Sequence, residues 1–111
     1  RAKEVLARSL QVLRGNRFAY DEHTAEQIEL LYTLGEQSKA DELLGEFLYE
    51  QLDLLRYYRS QWTEGLYLPT SPYYLRALRS IERLSRAGEQ YGNHNLRTFV
   101  AQSRSEWEDE Q

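Results

Sequence analysis

Apolar residues recur at spacings of three and four along nearly the whole 111-residue chain, and no stretch alternates apolar and polar positions as a strand would. The pattern predicts an all-α fold of four to five antiparallel helices with almost no sheet. A helix is expected from about Ala2 to Leu13, with Val5, Leu6, Leu10 and Leu13 on one face and Gly15-Asn16 as its stop. The next runs from Asp21 or Thr24 to Leu34, with Ile28, Leu31 and Tyr32 inward. Thr24 and Gln27 have the spacing of a capping box, and Asp21, Glu22 and Glu26 suit the positive end of the helix dipole.

Leu31 to Ala40 carries the sharpest local signal. Gly35 can take the left-handed conformation that closes a helix, and Ser38 is placed to accept from the Asp41 N–H and open the next, so the chain folds into a helical hairpin here. The long helix that follows, about Lys39 to Trp62, has Ala40, Leu44, Phe47, Leu48, Leu55 and Tyr58 as its stripe. Leu43, Leu52 and Leu54 widen that stripe enough to touch more than one neighbour. Residues 63–70 form the one long connection, expected to pack on the bundle through Leu66, Tyr67 and Leu68. Ser71-Pro72 is an N-cap followed by a proline at the first helical position. The helix it opens runs to about Gln90, burying Tyr74, Leu75, Leu78, Ile81 and Leu84. Asn93 or Asn95 caps the last helix, whose Leu96, Phe99, Val100 and Trp107 face inward. The predicted core comprises Leu10, Ile28, Leu31, Leu44, Phe47, Leu48, Leu78, Ile81 and Phe99.

The Gly35 to Ala40 spacing matches the turn and first small residue of the second helix in a tetratricopeptide repeat, and the segment from Arg86-Ala87-Gly88 through Tyr91-Gly92-Asn93 to Leu96 looks like a second hairpin. No strict 34-residue self-similarity accompanies them, so the architecture expected is irregular and repeat-like.

Composition changes the picture in three ways. A chain of this length makes one domain, residues 1–111, with a substantial core. It holds no cysteine, which excludes disulfides and thiolate-bound zinc, and it starts at Arg1 without any methionine, so a segment of something longer is expected. Its net charge of −4 is laid out in blocks. Residues 1–20 carry five basic and one acidic side chain, residues 21–54 one basic and ten acidic, residues 55–105 eight basic and three acidic, and the tail adds Glu106, Glu108, Asp109 and Glu110. Such blocks attract one another within a fold or offer a partner a signed face.

Candidate chemistry is sparse. His23 and His94 have no partner at metal-ligand spacing, and no nucleophile elbow or phosphate-cradling glycine loop occurs. Glu42, Glu46, Glu50 and Asp53 recur at helical spacing and are expected on one solvated face. No catalytic residue, cofactor or metal is expected. Two binding candidates stand out. Arg76, Arg79, Arg83 and Arg86 form a basic stripe suited to phosphates and carboxylates, with pairing to the acidic helices or to Glu82 and Glu89 as the simpler account. Tyr57, Trp62, Tyr67 and Tyr73 form an aromatic set: adjacent residues on a helix cannot both face the core, so one of Tyr57-Tyr58 and one of Tyr73-Tyr74 must point outward. A pI near 5.2 argues against nucleic acid.

The order of landmarks resembles the helical C-terminal region of large bacterial multi-spanning membrane proteins of uncharacterised function, related to protein O-mannosyltransferases. The landmarks are Ala19-Tyr20-Asp21, Leu31-Tyr32-Thr33-Leu34-Gly35-Glu36, Lys39-Ala40, Leu54-Leu55-Arg56-Tyr57-Tyr58, the run from Tyr74 to Leu84, and Tyr91-Gly92-Asn93-His94-Asn95-Leu96. The resemblance implies an extracytoplasmic (periplasmic) appendage after the membrane spans, with any catalytic carboxylates of the parent lying outside this segment. The expected function is therefore a non-catalytic interaction or scaffolding domain, its partner another protein, its own membrane portion or an anionic lipid surface. Recognition of a glycan or peptide acceptor for a membrane glycosyltransferase is one alternative, and a free-standing soluble adaptor another.

Overall fold

The computed structural model of the chain describes residues 22–61 and 71–108. The predicted helix at 2–13 with Leu10, the connection at 63–70, Asp21, Trp62 and Tyr67 lie outside them. The described residues are 89 % helical and contain no strand. Four helices follow in order: α1 (Glu22–Thr33), α2 (Gln37–Ser60), α3 (Pro72–Tyr91) and α4 (His94–Trp107).

The turn between α1 and α2 is closed as the glycine demands. Gly35 has φ +88°, its N–H donates to the Tyr32 carbonyl, and the Glu36 N–H donates to the Leu31 carbonyl. This pair of bonds is the Schellman closure. It brings the chain directly into α2, whose N-cap is Glu36 without a side-chain cap bond, so the expected cap at Ser38 is corrected. Ser38 sits inside the first turn because the Schellman bonds use up the turn before it is reached. Likewise, α1 starts at Glu22, so Thr24 lies within the first turn and buried, not as a cap. The caps of the later helices are those expected: Ser71 Oγ accepts from Tyr73 N–H at 3.2 Å ahead of Pro72, and Asn93 Oδ1 accepts from Leu96 N–H at 2.8 Å.

Helix α2 organises the bundle. Its buried positions, Ala40, Leu43, Leu44, Phe47, Leu48, Gln51, Leu52, Leu54, Leu55 and Tyr58, cover a broad sector, and α2 touches all three other helices. The largest interface is with α3; α1 and α4 each pack on both helices of this central pair and, among the described residues, do not touch each other. Contacts at both ends fix the directions. The Gln37 side chain donates to the Tyr91 carbonyl at one end of the α2/α3 pair, and Arg59 reaches the Tyr74 hydroxyl at the other, so these helices are antiparallel. Arg56 near the end of α2 meets Glu106 near the end of α4, which makes α2 and α4 parallel.

Helix α3 fits between its neighbours because its inner face is small: Ala77, Ser80, Ser85, Ala87 and Gly88 lie buried among Tyr74, Ile81 and Leu84. A Cβ on Gly88 would stand 2.9 Å from Val100 Cγ2 and 3.4 Å from Leu44 Cδ2, so both α4 and α2 close on it. Three core expectations need correction. Leu75 is 41 % exposed, while Leu78 and Phe99 are only partly buried against the core. The α3 stripe runs through Tyr74, Ala77, Ile81, Leu84 and Gly88, and a residue one position further is turned about 100° away, which carries Leu75 and Leu78 to its flank.

Leu44 and Ile81 are fully buried on the two helices of the central pair. Leu44→Ala and Ile81→Ala should each lower unfolding stability by about 2–5 kcal/mol, measured by urea denaturation; unchanged midpoints would contradict this packing.

Candidate functional site

The sequence-predicted binding residues separate into two surfaces. On α3, Arg76, Arg79 and Arg86 are exposed opposite the buried stripe, but Arg83 turns to the flank and forms a partly buried ion pair with Glu29 of α1. Arg86 pairs locally with Glu82 at 3.6 Å, and Glu89 is taken by Arg104 of α4. The stripe is therefore divided between a structural pair and an outward face. Arg86 also borders a hollow of about 260 Å³ with Glu82, Arg104, Trp107 and Glu108, where two cations and two anions offset one another.

The tyrosine pairs split as helix geometry requires. Tyr57 is 46 % and Tyr73 59 % exposed, while Tyr58 and Tyr74 are buried at 2 % and 5 %. The two outward rings lie at the same end of the bundle, where α2 ends and α3 begins. The third large exposed ring, Tyr49, was not singled out by sequence reasoning.

Tyr49 belongs to a groove of about 610 Å³ between α2 and α4, lined by Asp41, Glu42, Gly45, Glu46, Tyr49, Glu50 and Phe99. Its walls are pinned at both ends and open between. At the upper end Asp41 is a hub: it accepts from the Tyr32 hydroxyl at 2.6 Å, the Gln37 amide at 3.1 Å and the Asn93 backbone N–H at 3.3 Å. It thereby joins α1, α2 and the α3–α4 turn, beside Tyr32 and Tyr91 stacked 5.3 Å apart. Burial, reinforced by the hydrogen bond to the Asp41 carboxylate, pushes the Tyr32 phenol far up, so it stays a donor. At the lower end Arg56 forks onto Glu106 at 2.7 and 2.8 Å, and Arg59 donates to the Glu106 carbonyl at 2.6 Å, adding a cation to the last turn of α4. Close helix contact occurs near Gly45, whose missing side chain faces Leu96. Phe99 and Tyr49 both line the groove, and the carboxylates of Glu42, Glu46 and Glu50 line the α2 side at one per turn. Two of these, Glu46 and Glu50, are half-buried, which corrects the expectation of a wholly solvated acidic face.

Among the described residues no group of three His, Cys, Asp or Glu side chains could hold a metal ion, and no helix is long and apolar enough to cross a membrane. His94 is the exposed first residue of α4. No family model matches the chain, and no curated protein or solved structure matches it either.

Two outcomes follow from the charge pairs. The Arg83→Glu substitution sets a carboxylate against Glu29 at a partly buried site and should lower stability by about 1–3 kcal/mol, whereas Arg79→Glu on the outward face should change it by less than about 0.5 kcal/mol in the same denaturation assay. The Arg56 fork holds the Glu106 carboxyl below its usual range against an opposing contribution from burial. Because its folded pKa is depressed, the stabilisation is complete above the unfolded value of about 4.3 and disappears as pH falls through the folded one. Both side chains are more than a third exposed, so Arg56→Ala should cost only about 0.5–1 kcal/mol at pH 7 and low salt. That difference should shrink toward zero once the pH is well below about 4; a difference that persists there would exclude the ion pair as its source.

Proposed function

We propose that this chain is a non-catalytic helical interaction or scaffolding domain, carried as the C-terminal, extracytoplasmic appendage of a membrane protein. The observation that carries the interaction reading is a set of large apolar side chains that stay exposed while the neighbouring faces are buried: Tyr57 and Tyr73 at one end of the bundle, Tyr49 beside the α2/α4 groove, Leu30 on α1 and Leu34 in the turn that follows it. Amphipathic rings on a rigid frame suit protein interfaces, because the ordering cost of two side-chain torsions is small against the area they bury. Each helix packs on the next and on the next but one, as two stacked helical hairpins would, which supports the tetratricopeptide-like reading. The membrane attachment rests on the order of sequence landmarks that resembles bacterial multi-spanning proteins.

Acceptor recognition for a membrane glycosyltransferase is the second reading, favoured by the exposed Tyr57 and Tyr73, since tyrosine faces also stack on sugars.

A photo-crosslinking amino acid at position 57 or 73, introduced in the full-length parent in its native cells, should give one discrete protein adduct that is absent when the same group replaces exposed Arg97. Adducts no different from the Arg97 control would overturn the reading. Oligosaccharide-induced NMR shifts confined to Tyr57 and Tyr73 would move it to acceptor recognition.

A further inference from the structure

We propose that the outward face of the first two turns of α3, formed by Pro72, Leu75, Arg76 and Arg79, docks on an anionic phospholipid bilayer. This deepens the interaction reading and rests on the membrane attachment proposed with it, which keeps a bilayer within reach. All four side chains are exposed, Leu75 to 41 %, and each stands three or four positions from two of the others, so on a helix they form one contiguous patch. Tyr73 is not part of it. One position on from Pro72, it is turned about 100° away, so the patch is distinct from the two outward tyrosines at positions 57 and 73.

The charge of this patch fixes the chemistry of what covers it. Two arginines of the α3 stripe are engaged within the fold, Arg83 by Glu29 and Arg86 by Glu82. Arg76 and Arg79 differ: among the described residues neither guanidinium takes part in an ion pair, a side-chain hydrogen bond or a ring contact. No acidic residue occurs from Pro72 to Ile81, and Glu82, the next along the helix, faces Arg86 at 3.6 Å. The patch therefore sets two cations beside an exposed leucine, with no anion of its own helix to offset them.

Its shape selects the class of anion. None of the four residues lines the α2/α4 groove or the hollow beside Trp107, and together they form a crest on a single helix. An acidic peptide laid on a crest gains little from two exposed ion pairs, because water and salt screen them. A bilayer complements every part of the patch. Its phosphates accept the forked N–H groups of Arg76 and Arg79, its surface potential attracts each cation, and Leu75 enters the apolar boundary beneath the headgroups. Arginine suits this arrangement, since its methylene stem lies beside the leucine while the guanidinium reaches the phosphate layer. The contact is small, and tethering compensates for that. A domain linked to a membrane span meets the bilayer at a high effective concentration, at which a weak contact still orients it.

The test uses the full chain and vesicles of phosphatidylcholine, alone or mixed with phosphatidylglycerol. Binding, read by co-sedimentation at low ionic strength, should require phosphatidylglycerol and weaken as salt is added. The double variant Arg76→Gln/Arg79→Gln should lower the partition coefficient about thirtyfold, each arginine at such a surface contributing about fivefold. Leu75→Ser should also lower it. Both should keep the melting curve of the parent chain, since substitutions at exposed positions barely change stability. Arg97→Gln, at the other end of the bundle, should partition as the parent does. With a nitroxide-labelled lipid in the vesicles, amide signals of residues 72–79 should broaden and that of Arg97 should not.

Equal binding to both vesicle types, partitioning insensitive to the double variant, or broadening centred away from residues 72–79 would overturn the proposal. A helical polyglutamate peptide that binds through Arg76 and Arg79 while the vesicles do not would assign the face to an acidic protein and likewise overturn it. If the vesicles fail while crosslinks at positions 57 and 73 persist, the bilayer inference falls and the broader interaction reading stands.

Discussion

The width of the apolar stripe on α2 is the constraint on which the rest of this structure depends. A helix that buries ten side chains along 24 residues cannot satisfy them against one neighbour, and among the described residues it packs on three other helices. The remaining helices are arranged as the solution to that demand. Helix α3 takes the largest share because its inner face is built from Ala, Ser and Gly, which lets the backbones approach until Leu44 and Val100 both reach Gly88. Helices α1 and α4, each with a narrow stripe, both pack on the α2/α3 pair.

The polar contacts at the ends of this arrangement decide register where apolar packing would tolerate sliding. Asp41 receives three donors from three different parts of the chain, and Arg56 and Arg59 together seize Glu106. Hydrophobic burial is non-directional, so a bundle of leucines alone leaves the axial offset of its helices weakly specified. Geometry-dependent hydrogen bonds at both ends supply that specification.

Charge distribution gives the surfaces different characters. The acidic block of residues 21–54 is divided between structural use, as with Glu29 against Arg83, and the rim of the α2/α4 groove. The basic block is likewise divided: Arg56, Arg59, Arg83 and Arg104 are engaged within the fold, while Arg76 and Arg79 face outward on α3. Among the described residues, attraction between the blocks thus operates as a few specific pairs.

The sequence by itself determined what depends on neighbours within a few positions along the chain. The apolar periodicity specified four all-α segments, the left-handed Gly35 closed α1, Ser71-Pro72 and Asn93 opened α3 and α4, and the adjacency of Tyr57-Tyr58 and of Tyr73-Tyr74 required one ring of each pair to turn outward. These are properties of one turn of backbone, and a local string carries them completely. Ser38 marks the edge of that reach, because whether a serine caps a helix depends on how the preceding turn spends its residues. Tertiary structure alone decided which arginine of the α3 stripe would find Glu29, that Asp41 would gather donors from residues 9 and 52 positions away, and that carboxylates expected in open water would rim a trough floored by Phe99. Such features are set by the rotation and axial offset of whole helices, quantities fixed by summed side-chain volumes and by contacts between distant residues, and no local spacing encodes them.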